Sequence, residues 1–182
     1  MSKFLRSPLA ASLVIISGTA VYASSGKAPV VTIDEVTCAP AKGNARVSAT
    51  VKDAAAARVF VKTSADAAEY FVEMRADKSA KDRYWAVLPV PADGITSLEV
   101  RVAAKGSNGE QVASEPRSVP VQSSGCAVAL TADQQKAAQN LTLGATMADQ
   151  GAAKGFASNG IVAQTSSRGE MRPYDGSVPA AL

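Results

Sequence analysis

Cys38 and Cys126 are the only cysteines of this 182-residue chain, and it contains no histidine. Without histidine, the commonest general acid/base and the commonest transition-metal ligand are missing together. Composition therefore excludes a Ser-His or Cys-His nucleophile. Two cysteines without histidine also make a poor zinc site, so no metal and no cofactor are expected. The cysteine spacing is nothing like Cys-x-x-Cys, and if the chain is exported an even count favours a structural bridge over a redox-active or intermolecular thiol pair. Glu69, Glu73, Asp77 and Asp82 come nearest to a carboxylate cluster. Glycoside hydrolysis needs two carboxylates facing each other across a cleft, one with a raised pKa. These four instead fall on solvent-facing strand positions and in a turn beside Lys78 and Lys81, which reads as a solvated turn. The segment ADKSAKD (76–82) also lacks the Asp/Asn spacing and central glycine of a calcium loop. No catalytic residue is assigned, and no enzyme is expected.

A binding surface is better supplied. If Val59 and Val61 point inward, Phe60 points out. If Tyr70, Val72 and Met74 point inward, Phe71 points out with Glu73 and Arg75. Trp85 alternates with Tyr84, so one of the two leaves the core. The expected face is therefore Phe60, Phe71 and Trp85, bordered by Arg58, Lys62, Arg75 and Arg83. Aromatic anchors rimmed by arginine suit a protein partner. Two plainer arrangements of the same residues remain open: the opposite register, or a C-terminal segment lying over the aromatics.

The elements that position these residues read as strand after strand. Runs at 30–36 (VVTIDEV), 46–51 (RVSATV), 58–62 (RVFVK), 69–75 (EYFVEMR), 83–88 (RYWAVL) and 97–104 (SLEVRVAA) are rich in β-formers. A last run spans about 111–121. Pro116 and Pro120 interrupt it, which suits a bent edge strand. Gly106-Ser107-Asn108-Gly109 is a hairpin turn signal. About seven short strands without an amphipathic helix between them predict an all-β, antiparallel sandwich. In many sandwiches the end segment of the first strand runs parallel to the last strand. That would bring Cys38 and Cys126 to one pole.

The order RYWAVLPVP, SLEVRVAA, GSNGEQVAS resembles the later strands of immunoglobulin-like and fibronectin type III domains, in which a strand ends at a proline-bearing loop and the chain then enters a hairpin. The resemblance covers about residues 28–122 and implies a seven-stranded sandwich of that type. The chain departs from the immunoglobulin pattern in lacking cysteines on the second and sixth strands and in carrying Trp85 outside the third. The whole chain also resembles exported bacterial proteins of this build.

Lys3 and Arg6, the apolar stretch 8–22 (PLAASLVIISGTAVY) and the slim residues Val21-Tyr22-Ala23 read as a secretory signal at 1–23. An uncleaved N-terminal anchor is the alternative, although the stretch is short for a membrane span. Lys3 and Arg6 account for two of the formal net charges of +3. The remaining near-neutral chain has no electrostatic reason to seek nucleic acid or anionic lipid. A domain at 24–126 is then followed by a segment at 127–182. In that segment Thr131 and Gln134 have capping-box spacing for a short helix at about 131–141. Beyond it the chain is mostly irregular, with islands at 160–163 and 170–172 that could form a weak hairpin. This segment is read either as a disordered tail or as one that orders on the aromatic face or on another protein.

Together these readings predict an exported binding or structural module, periplasmic or secreted, that contacts another envelope or extracellular protein. The alternative is an accessory or assembly factor of an envelope complex that docks through its C-terminal segment.

Overall fold

The computed structural model describes residues 26–145, 153–165 and Met171. The expected export signal at 1–23 lies outside the described residues, as do Glu170 and Arg172 of the second C-terminal island. In chain order the elements are β1 (Val30–Ile33), β2 (Ala39–Pro40), β3 (Arg46–Lys52), β4 (Ala54–Thr63), β5 (Glu69–Glu73) and β6 (Arg75–Ala76). They continue with β7 (Arg83–Val87), β8 (Ser97–Gly106), β9 (Gln111–Ala113), β10 (Arg117–Gln122), α1 (Ala132–Ala138), β11 (Leu141–Ala145) and β12 (Ile161–Thr165).

The strands form two sheets that share one apolar core. The smaller sheet has the order β1-β3-β7-β6, and the larger has the order β12-β11-β5-β4-β8-β10-β2, with β9 added to β8. The fold is thus all-β and sandwich-like, but its larger sheet is mixed. β2 runs parallel to β10, and β12 runs parallel to β11. Twelve strands stand among the described residues where about seven were expected. Part of the excess arises because the chain changes sheets at two places. The first predicted run pairs with β3 as β1, and the residues just beyond it pair with β10 as β2. The fourth divides at Met74. Before it, β5 pairs with β4 in the larger sheet; after it, β6 pairs with β7 in the smaller one. The Met74 side chain is buried at this crossing. Inward alternation follows the sequence throughout, with Val47, Ala49, Val51, Val59, Val61, Tyr70, Val72, Met74, Val100 and Val102 all buried.

β10 keeps an open edge over 117–120 among the described residues, as its prolines predict, and gains β2 only at Val121 and Gln122. The parallel contact puts Cys38 near Cys126, and they are bonded with Cα atoms 6.0 Å apart. The bridge joins the start of β2 to the chain just beyond β10.

The segment after Cys126 is more regular than its composition suggests. Thr131 caps α1: its Oγ1 accepts from the Gln134 N–H, and Gln134 Oε1 accepts from the Thr131 N–H. β11 adds to β5, and the island at 160–163 joins β11 as β12 rather than forming a hairpin with 170–172. Ala137, Leu141, Leu143 and Phe156 belong to the same core cluster as Val47 and Val59. Phe156 meets Tyr70 edge-on at 5.8 Å, and Tyr70 Oη accepts from the Lys154 N–H at 3.1 Å. Two backbone bonds fasten this segment to the β7–β8 connection: Ala92 N–H to Gly155 O, and Ala157 N–H to Val90 O. The folded unit therefore runs past 126 and includes β12.

The disulfide closes a loop of 88 residues, for which chain entropy sets a ceiling of about 4–4.7 kcal/mol. Cys38→Ser is expected to lower Tm by about 5 °C or more in thermal unfolding. A shift of only a degree or two would show that the bridge contributes little.

Candidate functional site

The Met74 crossing decides where the expected binding residues lie. Arg58, Phe60, Lys62 and Phe71 face outward from the larger sheet. Arg75, Arg83 and Trp85 face outward from the smaller one. The single face expected from alternation is thus divided between opposite sides of the molecule, because Arg75 has left the sheet that carries Phe71.

On the larger sheet, Phe71 of β5, Phe60 of β4 and Arg101 of β8 form one cross-strand row. The two rings are 6.0 Å apart and tilted by 58°. The Arg101 guanidinium lies 4.1 Å from the Phe60 ring centre. It donates to both Glu69 oxygens at 2.8 and 2.7 Å, so it reaches across β4 to β5. This is a bidentate pair stacked on an aromatic ring, a geometry that lysine would not reproduce. In the adjacent row Arg58 faces Glu73. It sits 3.8 Å over Phe71 and donates to Glu73 Oε1 through Nε at 3.0 Å and through Nη2.

Arg58 was expected on the rim of a patch but is buried, because the Phe71 ring and the Glu73 carboxylate enclose it. Phe71 itself is only 4% exposed. Gly144 of β11 faces it, and a Cβ there would come within 2.0–2.4 Å of the ring. The missing side chain at 144 is the space that Phe71 fills. Ala56 and Ala103 also face outward here, and Met171 is seated on them against Phe60. The C-terminal covering of the aromatics is therefore present at Phe60.

On the smaller sheet, Trp85 faces Ser48 of β3 and Arg75 of β6. Arg75 lies 5.4 Å from the Trp85 ring centre. Arg83 donates to Thr50 Oγ1 at 3.0 Å and grips Asp34 with both terminal nitrogens. The Asp34 bond holds the Arg83 guanidinium above its ordinary pKa. Trp85 and Tyr84 are both half-buried, so neither has left the core completely. Burial, with a smaller contribution from Asp82, raises the Tyr84 hydroxyl.

The four carboxylates take separate structural parts. Glu69 and Glu73 are held by arginines on the larger sheet. Asp77 and Asp82 lie in the β6–β7 turn of the smaller one. Asp77 Oδ1 accepts from the Ser79 hydroxyl and N–H at 2.6 and 2.9 Å, which lowers its pKa. Asp82 takes a left-handed conformation with φ 59°, a position that aspartate tolerates better than most residues. Burial raises the Glu73 pKa above 4.5 and outweighs Arg58, which lowers it. These groups present guanidinium and aromatic surface on one side of the molecule and an apolar seat, covered by Met171, on the other.

Gly144→Ala is expected to displace Phe71 and destabilise the protein by about 1–3 kcal/mol, an overpacking cost. Adding Phe71→Leu should recover part of it. Unchanged urea unfolding in the single variant would contradict the Phe71–Gly144 contact. Because the native Glu73 pKa is raised, its contribution to stability is complete below 4.5 and fades as pH rises through the native value. Unfolding measured against pH should therefore show a falling segment there that Glu73→Gln flattens. A rising segment that the variant abolishes would mean that Arg58 dominates instead. No protein-family model, curated protein or solved structure matches this chain.

Proposed function

We propose that this protein is an exported, non-enzymatic binding or structural module of immunoglobulin or fibronectin type III-like build. On this reading it acts by protein–protein contact in the cell envelope or outside the cell. The strand order supports the build. An immunoglobulin sandwich has strands A, B, E and D on one sheet and C, F and G on the other. β1, β3, β7 and β6 stand in the first order, and β4, β8 and β10 in the second. The Cys38–Cys126 bridge accords with an oxidising compartment. No helix among the described residues is long and apolar enough to cross a membrane, which is compatible with export.

The observation that carries the binding role is the outer face of the smaller sheet. There the half-buried Trp85 lies under Arg75 and beside Arg83, which Asp34 and Thr50 hold in place. Tryptophan and arginine are the side chains most enriched among residues that dominate interface energy. An arginine held before binding also loses less freedom when a partner arrives. The second reading, an assembly factor that docks through its C-terminal segment, draws on Met171. That residue is already engaged with the chain's own larger sheet, so docking elsewhere would first require its release.

A photo-crosslinker at Ser48, which faces Trp85 in β3, is expected to capture a discrete envelope or extracellular partner in cells. Trp85→Ala combined with Arg75→Ala should abolish that capture with Tm within a few degrees of the parent. Capture that survives the double substitution would remove this face from the proposal. Loss of capture through unfolding would assign Trp85 to the core.

A further inference from the structure

Ala56 and Ala103 occupy outward positions on the larger sheet, since Ala56 is in register with Lys105, and Arg58 with Ala103. Alanines on the outside of a sheet are ordinarily open to water, yet these are only 3% and 6% exposed. Met171 covers them, itself 3% exposed, with Phe60 as the remaining wall. The four residues form an apolar cluster separate from the main core. Two alanines on neighbouring strands beside an upright phenylalanine leave a notch, and the unbranched, polarisable methionine side chain suits it. Around the notch, Arg101 is fixed on Phe60, and Arg58 on Phe71. The walls are therefore organised by contacts that do not involve Met171.

We propose that this notch is a docking site whose occupant is the chain's own C-terminal segment, anchored by Met171 and releasable without unfolding the domain. Small satellite clusters open at lower free energy than the core they flank. β12 ends at Thr165, only six residues before Met171, and a short tether holds a ligand at millimolar effective concentration. The contact made by Met171 is therefore stronger in cis than the same contact made by a separate peptide. The site lies on the opposite side of the molecule from Trp85 and does not depend on a partner binding there.

The test keeps the full chain. A labelled peptide of residues 166–182 is titrated against the wild-type protein and against Met171→Glu. The vacated variant is expected to bind it saturably, and the wild type about tenfold or more weakly because its notch is filled. A peptide carrying Met171→Glu should bind neither, and Ala103→Leu added to the vacated chain should block the site. Met171→Ser repeats the experiment without a buried charge, should the glutamate variant fail to fold. Equal binding to both chains, no binding to either vacated chain, or equal binding of the substituted peptide would overturn the proposal. A wild-type dimer that Met171→Glu converts to monomer would overturn the cis assignment and make the segment an exchanged one.

Discussion

An interior built from valine and alanine is the constraint under which the rest of this structure is arranged. Aromatic residues make up only 5% of the chain, and the inner faces of β3, β4 and β8 bury mainly Val and Ala. Such side chains contribute less per position than large ones, since the gain scales with apolar area removed from water. Stability must be gathered elsewhere. The disulfide reduces the freedom of the unfolded chain over 88 residues. The Tyr70–Phe156 contact supplies one of the few large pairs at the core, and the second member comes from a segment that composition alone assigns to a tail. The order found after Cys126 follows from this need. Leu141, Leu143 and Phe156 complete a core that the first strands leave short of bulk.

The two sheet changes are the second organising feature. At residues 34–38 and again at Met74 the chain leaves one sheet for the other, so neighbouring residues serve opposite faces. Arg75 is two positions from Glu73, yet it stacks on Trp85 of the smaller sheet while Glu73 receives Arg58 on the larger one. Buried Met74 sits at this crossing. Inward and outward positions keep alternating through the switch, with Tyr70, Val72 and Met74 all buried, but the outward residues before and after it lie on different sheets.

This explains what was legible in the sequence. Alternation over 46–51, 58–62 and 97–104 placed the inward residues correctly, because each run stays within one sheet. The same rule applied through 69–75 merged two faces into one. The parallel pairing of β2 with β10, and with it the cysteine bridge, could be anticipated from the sandwich pattern. The capping box of α1 could be read from Thr131 and Gln134. The burial of Arg58 and Phe71 could not. It depends on Gly144, about seventy residues beyond Phe71, where the absence of a side chain makes room for a ring. Likewise Ala56 and Ala103 look like ordinary strand positions until a methionine from far down the chain is found upon them.

The two outer faces also differ in electrostatic finish. On the larger sheet, Arg58 and Arg101 meet Glu73 and Glu69 and lie on aromatic rings, so charge and quadrupole are matched within the domain. A partner approaching there meets few unsatisfied cations and an apolar notch already filled. The proposed docking on that side therefore rests on shape and on displacing Met171. On the smaller sheet, Arg83 is tied to Asp34 at its side, while Trp85 stays half-buried under Arg75. The proposed contact there would use a half-buried aromatic beside a cation that Asp34 already holds. The asymmetry separates the two proposals: the Trp85 face would be used as it stands, and the notch only once Met171 has left it.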